Sequence, residues 1–280
     1  MLNRRHLRVK VMQVLYAFQQ SEIKDIKLQE KNLLTSVDKV NEMYISLLAL
    51  INDVVQYAEI DAIDRANKHL PSEDDLNANL KVLQNQFIQL LNNLPDYQQA
   101  LKKYKTSWDF DPELARSLFM SLKASEEYKA YLENPVQDLH TDKDLIKFIF
   151  KKLILKSALA QQALEEKHLN WQVDQDVLPA MIAKTLKNFT ESDQKLAQVS
   201  ANWTEDREFI LDLFQKTIAN NQVYQDLIAA KTKNWEADRI AMMDVILMKM
   251  SLSEMLYFTS IPIKVTINEY LEIAKEFSTP

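Results

Sequence analysis

The chain has 280 residues, 47% of them hydrophobic and 26% charged, which is enough apolar material for a real core in one large or two ordinary domains, so disorder is not the default reading. It contains no glycine where average usage would place about twenty, so it cannot write a phosphate-cradling P-loop, a dinucleotide fingerprint or a nucleophile elbow, and with no cysteine it has no thiol nucleophile, thiolate zinc site or disulfide. The formal net charge is −6, yet the first twenty residues hold Arg4, Arg5, Arg8 and Lys10 and no acid, so any affinity for polyanions is local to this tip.

Missing glycine also predicts the fold class. Hairpins, bulges and most left-handed turns depend on glycine, whereas helices are better without it, so the chain is expected to be all-α with Asn, Asp, Ser and Pro at its corners. The first expected helix covers residues 3–21. Leu7, Val11, Val14, Leu15 and Phe18 form one apolar stripe on it, with Arg4, Arg5 and Arg8 on the opposite face. Cations in a first turn oppose the helix macrodipole, and an anionic partner would explain them. Lys10 and Gln13 interrupt what would be the apolar stretch of a signal peptide, and no run reaches the roughly 18 residues of a membrane span, so a cytoplasmic location with no membrane partner is expected.

Further helices are predicted near 29–69, closed by Pro71, and near 74–93, 96–106, 112–133, 142–169, 175–189, 205–232, 239–258 and 264–277, with 190–204 as a polar loop. An internal repeat runs through them. Trp108, Trp171 and Trp235 are 63 and 64 residues apart, and 142–174 slides onto 206–238 without a gap, matching Asp142 to Asp206, Ile146 to Ile210, Phe150 to Phe214, Lys152 to Lys216 and Ile154 to Ile218. A weaker third copy aligns Phe87, Asn93, Tyr97, Gln98 and Trp108 with Phe214, Asn220, Tyr224, Gln225 and Trp235. Asp111, Asp174 and Asp238 each follow a tryptophan by three residues. Each unit is expected to be a helical hairpin of about 64 residues whose ring packs a corner and whose aspartate caps the next helix, with Pro112 at N1 of one of them.

Catalytic constellations are thin. The four histidines, His6, His69, His140 and His168, form no HxxxH pair, and Glu165 with His168 makes a single ExxH that reads as a solvated helix face. Acidic pairs such as Asp74 with Asp75 and Glu126 with Glu127 lie among lysines and read as surface ion pairing. Met242, Met243, Met248, Met250 and Met255 read as core packing among leucines and isoleucines. No cofactor or metal is expected, and the chain reads as a binding protein, not an enzyme.

Two segments resemble a known family. NRRHLRVKVMQVLYAFQQSE at residues 3–22 and SIPIKVTINEYLEIAKEFS near the C-terminus, with IPxKVxINExxExAK at Ile261 to Lys275, resemble NusB-type transcription antitermination factors, in particular the long, insert-bearing members of the Bacteroidetes lineage. The resemblance covers residues 1–22 and about 205–280. It implies an all-helical, non-enzymatic protein that binds the boxA element of nascent ribosomal RNA transcripts together with the ribosomal protein NusE in the transcription elongation complex. Carried over by position, the RNA-binding residues would be Arg4, Arg5, Arg8, Tyr16, Asp244 and Phe277. The chain departs from the family at His6, where a further arginine is usual.

The expected organisation is therefore a basic helix at 1–23, an inserted helical-repeat region at 24–200 and a NusB-like bundle at 201–280. Two alternatives stay open: a helical-repeat scaffold for proteins without RNA binding, and a piece of an RNA-modifying enzyme, although no glycine-containing cofactor domain follows. The ending Ser278, Thr279, Pro280 reads as a helix start without its helix, and the family continues into one. A chain cut short there is expected to expose Leu252, Leu256, Leu271 and Ala274 and to self-associate as a homo-oligomer or leave a groove.

Overall fold

A computed structural model describes residues 1–108, 111–231 and 241–278, and every regular element among them is helical. The all-α expectation therefore holds. None of the described helices is long and apolar enough to cross a membrane. In chain order the α-helices are α1 (Arg4–Gln20), α2 (Ile26–Ala66), α3 (Glu73–Leu76), α4 (Gln86–Asn93), α5 (Pro95–Tyr104), α6 (Pro112–Ala124), α7 (Glu126–Glu133) and α8 (Leu139–Phe148), which continues as a π-helical stretch at Ile149–Ile154. They are followed by α9 (Ala158–Lys167), α10 (Trp171–Asp174), α11 (Leu178–Asn188), α12 (Trp203–Ala219), α13 (Asn221–Lys231), α14 (Met242–Tyr257) and α15 (Ile263–Phe277).

Corners are made without glycine. Lys105 at φ 49° is the left-handed residue among those described, and it closes α5 by donating its N–H to Leu101 and Lys102. Elsewhere small polar side chains end one helix and start the next. Ser125 closes α6 with extended backbone while its Oγ accepts from the Tyr128 N–H at 3.2 Å, so the single helix expected at 112–133 is two. The helix expected at 74–93 is likewise interrupted, because Asn85 turns its Oδ1 to the Ile88 N–H at 3.2 Å and starts α4 afresh. The 142–169 helix breaks where Ser157 caps α9 through the Ala160 N–H.

The chain divides into two compact units, one made of Met1 and Val40–Gln198, the other of Leu2–Lys39 and Val199–Pro280. The boundary expected at residue 24 moves to 40. The reason is that α2 starts at Ile26 and its first turns belong with the C-terminal helices, as the 2.6 Å bond from Gln215 Nε2 to Glu30 Oε1 on α2 shows. The basic helix expected to stand apart at 1–23 is an integral helix of that second unit.

In the unit of residues 40–198, Phe87 and Phe189 pack at 4.8 Å between ring centroids, and Trp108 and Trp171 are buried with their indole N–H groups on Ser46 O and Gln161 Oε1, each at 2.9 Å. Asp142, fully buried, accepts from the Gln86 N–H and the Tyr131 hydroxyl, both at 2.7 Å. Burial pushes the Tyr44 hydroxyl up to about 12, where it meets Thr185.

Helix boundaries follow the expected internal register. The second helices α5 and α9 end at Tyr104 and Lys167, which the ungapped alignment places at one position, α13 is described as far as Lys231, and Phe87, Phe150 and Phe214 are all fully buried. The aspartate caps do not recur in the same way. Asp111 caps α6, its Oδ1 accepting from Leu114 N–H at 3.1 Å. Asp174 instead ends α10, buried, with no side-chain cap bond, because Trp171 begins a helical turn there and the helix runs on through 3-10 geometry into α11. Trp235 and Asp238 lie outside the described residues. His168, expected on a solvated face, is buried where α9 ends, since α9 stops one residue before it.

In the second unit, α1 packs on α12, α14 and α15, and α14 packs on α15. Leu7, Val11, Met12, Ile210, Leu213, Phe214, Met250 and Ile273 fill its core. The methionine cluster is only partly core: Met250 is fully buried, Met242 is exposed, and Met243, Met248 and Met255 are half-buried along a helix with apolar residues on most sides. Leu256 and Leu271 are exposed, and Leu252 and Ala274 half-buried. Thr279 and Pro280, on which the expected further helix rests, lie outside the described residues.

Candidate nucleic-acid interface

The start of α1 is built to hold its arginines. Asn3 accepts from the His6 N–H at 3.0 Å while its own N–H reaches His6 Nδ1 at 3.3 Å, a reciprocal cap. His6, where the resembled family has arginine, thus helps fix the first turn from which Arg4, Arg5 and Arg8 project.

All three arginines meet carboxylates. Arg8 is 2% exposed and grips Glu254 with two bonds of 2.7 Å. Glu254, itself fully buried, also accepts from the Thr266 hydroxyl at 2.8 Å and the Tyr270 hydroxyl at 3.3 Å, so both oxygens are satisfied. Burial, reinforced by the Glu254 charge, pushes the Tyr270 hydroxyl well above the usual tyrosine range. Arg5 forms a fork of two 2.9 Å bonds to Glu269. Those hydrogen bonds, together with the charges of Arg5 and Arg8, hold the Glu269 carboxyl below its ordinary value against the opposing effect of burial. Arg4 pairs with Glu205, lies 3.7 Å from Asp206, and places its guanidinium 4.3 Å above the Phe209 ring.

The arginines border a cleft of about 760 Å³ with Phe209, Phe258, Ile261 and Pro262 in its wall. Glu205, Glu208, Asp212 and Glu269 line it too, so its carboxylates outnumber its guanidiniums. The anionic partners that the basic first turn calls for therefore stand inside the chain. Arg8 is corrected: buried and bidentate to Glu254, it is out of reach of a phosphate. Arg4 and Arg5 remain partly open, with side chains 34% and 43% exposed.

The other carried-over residues lie away from this cleft. Tyr16 is exposed further along α1, within 3.5 Å of Gln20 Nε2; Asp244 is half-buried in the first turn of α14; Phe277 is half-buried at the end of α15; and none of the three lines the cleft. The residues the sequence reading passed over are the acids. Glu269 was legible as the glutamate of the INE triplet in the C-terminal motif, and Glu254 as a lone acid in the apolar run SLSEML.

No curated protein and no solved structure matches the chain. The matched family region starts some twenty residues before the resemblance read from the sequence and leaves out α1. It contains Glu205, Glu254 and Glu269, the carboxylates that hold the three arginines. Residues 185–280, about a third of the chain, match the model of the NusB family.

Proposed function

We propose that this chain is a non-enzymatic transcription antitermination factor that binds boxA-type RNA of nascent ribosomal RNA transcripts together with NusE in the transcription elongation complex. The observation that carries the reading is the anchoring of α1 on the family-matched helices through Arg8–Glu254 and Arg5–Glu269, which sets the basic first turn on that bundle. Arg4 and Arg5 are its phosphate contacts, and RNA competes with Glu205 and Glu269 for them.

Titration of a boxA-containing RNA against a scrambled control, with and without the NusE-type protein, tests the reading. Two phosphate contacts on a single strand contribute about −1.4 to the slope of log affinity against log salt, at about 0.7 per phosphate. R4A/R5A is expected to flatten that slope and remove the preference for boxA, while E205Q, which frees Arg4, is expected to tighten binding several-fold. Equal affinity of the two RNAs for the wild-type chain would sink the proposal. A second reading, a protein-interaction scaffold, is favoured by the excess of carboxylates in the cleft, and it predicts no RNA binding by this unit at all.

A further inference from the structure

The unit of residues 40–198 carries a groove with the opposite charge balance. It has a volume of about 220 Å³ and lies between α8, with its π-helical continuation, and α11. Lys143, Lys147 and Lys151 follow one another at four-residue spacing along one wall, and Lys187 of α11 stands on the other. Asp144 is the carboxylate of the lining, and His140 faces it at 3.4 Å.

Lys147, Lys151 and Lys187 are exposed and make no ion pair among the described residues; Lys143 is half-buried and donates to Phe189 O at 2.9 Å. In a chain of net charge −6, where Arg4, Arg5, Arg8, Arg65 and Lys123 all meet carboxylates, this gathering is not an average of the surface. Like charges one turn apart repel, at a cost of a few tenths of a kcal/mol per step. Folding gains the Lys143 bond to Phe189 O from that arrangement and, among the described residues, no ion pair from the other three lysines.

We propose that this groove binds the phosphate backbone of single-stranded RNA without regard to base sequence. Residues four apart along an α-helix rise by about 6 Å, so flexible lysine side chains at that spacing bring point charges to a repeat comparable to successive phosphates of an extended strand. The apolar floor is closed, with Phe150 and Ile182 1% and Leu186 8% exposed, so it offers no socket for the apolar anchor of an acidic peptide. No exposed Phe, Tyr or Trp lines the groove, which leaves bases without a stacking platform and makes the binding sequence-independent and sensitive to salt.

The test uses the full chain and a short fluorescent oligouridylate, with anisotropy followed across a salt series. K147Q/K151Q/K187Q is expected to weaken binding about tenfold or more at low salt and to make the slope shallower by about 2, three contacts at 0.7 each. A charge-matched control on the same unit, K68Q/K102Q/K129Q, is expected to keep the slope. An unchanged slope in the groove variant, an equal loss in the control, or competition by oligoglutamate as strong as by unlabelled RNA would each overturn the proposal. Helix content by circular dichroism checks the variant's fold. If it falls, photocrosslinking of the wild-type chain decides, adducts on α8 or α11 supporting the groove and their absence overturning it. The proposal shares with the antitermination reading only its class of ligand: the groove variant lowers affinity for boxA and scrambled RNA alike, whereas that reading fails if boxA is not preferred.

Discussion

Arg8 and Glu254 form a complete ion pair in the interior, and a buried pair reacts asymmetrically to substitution. E254Q strands a guanidinium with no counter-charge equal to the lost one and is expected to cost about 3–5 kcal/mol, whereas R8M/E254M removes both charges and is expected to recover most of that loss. Thermal melts of the three proteins check this: a double variant no more stable than E254Q would show that the pair is not the source. At Glu269 the direction of the titration sets the pH dependence. Its carboxyl is held below its ordinary value of 4.5, chiefly by the Arg5 hydrogen bonds, so its contribution is full above that pH and is lost as pH falls through the lowered native value. E269Q is therefore expected to lose less stability than the wild-type chain on acidification below about pH 4.5, measured by urea unfolding at a series of pH values. The position of the arginines was legible in the sequence because helical periodicity and the dipole argument are local. Their partners were not, since Arg8 and Glu254 are 246 residues apart and Arg5 and Glu269 are 264 apart, separations at which no sequence pattern signals a contact.

Helices were legible as a class and less so at their ends. The apolar stripe of α1 and the polar stretch after α11 came through, because periodicity and composition are additive over many residues. Breaks at Ser125 and Ser157 did not, because a serine inside an apolar pattern looks the same whether its hydroxyl faces solvent or caps a new first turn. The tryptophan spacing suggested equivalent corners, but Asp111 donates its N–H to Trp108 O ahead of α6 whereas Trp171 starts a helical turn, so the same aspartate offset gives a cap at Asp111 and a buried carboxylate at Asp174. D111A is accordingly expected to cost about 1 kcal/mol and D111N appreciably less, as a cap requires. D174N, which changes charge and leaves shape, separates the two positions. If Asp174 acted as a cap, its loss would match that of D111N; a clearly larger loss in the melting temperature is expected, because the group is buried.

At the scale of the molecule, the family match at 185–280 and the structural units divide the chain differently. The C-terminal unit draws its α1 wall and the first turns of α2 from residues 2–39, so a fragment of residues 185–280 lacks the arginine partners of Glu254 and Glu269 and the part of the α14 packing that α1 supplies. That fragment is expected to show less helix by circular dichroism than the same residues in the whole chain and to gain it when a peptide of residues 1–39 is added. Residues 40–198, with Phe87, Trp108 and Trp171 in their own core, are expected to remain helical alone. The sequence marked off a central region but not the first edge of the unit of residues 40–198, since α2 carries one unbroken apolar stripe, from Leu33 and Val37 through Val40, Tyr44, Leu47 and Ile51, across that edge. The split has a consequence in time. During synthesis α1 leaves the ribosome before its partners, which lie beyond a stretch of roughly 160 residues, so at about 5–20 residues per second the wait is at least about 10–30 s. Throughout that interval Leu7, Val11, Met12 and Leu15 have no native cover, while the stretch in between can already close its own core. The later-made part of this protein is thus completed by an earlier-made helix, and a chaperone that holds nascent apolar helices is expected to engage residues 4–20 until α14 and α15 emerge.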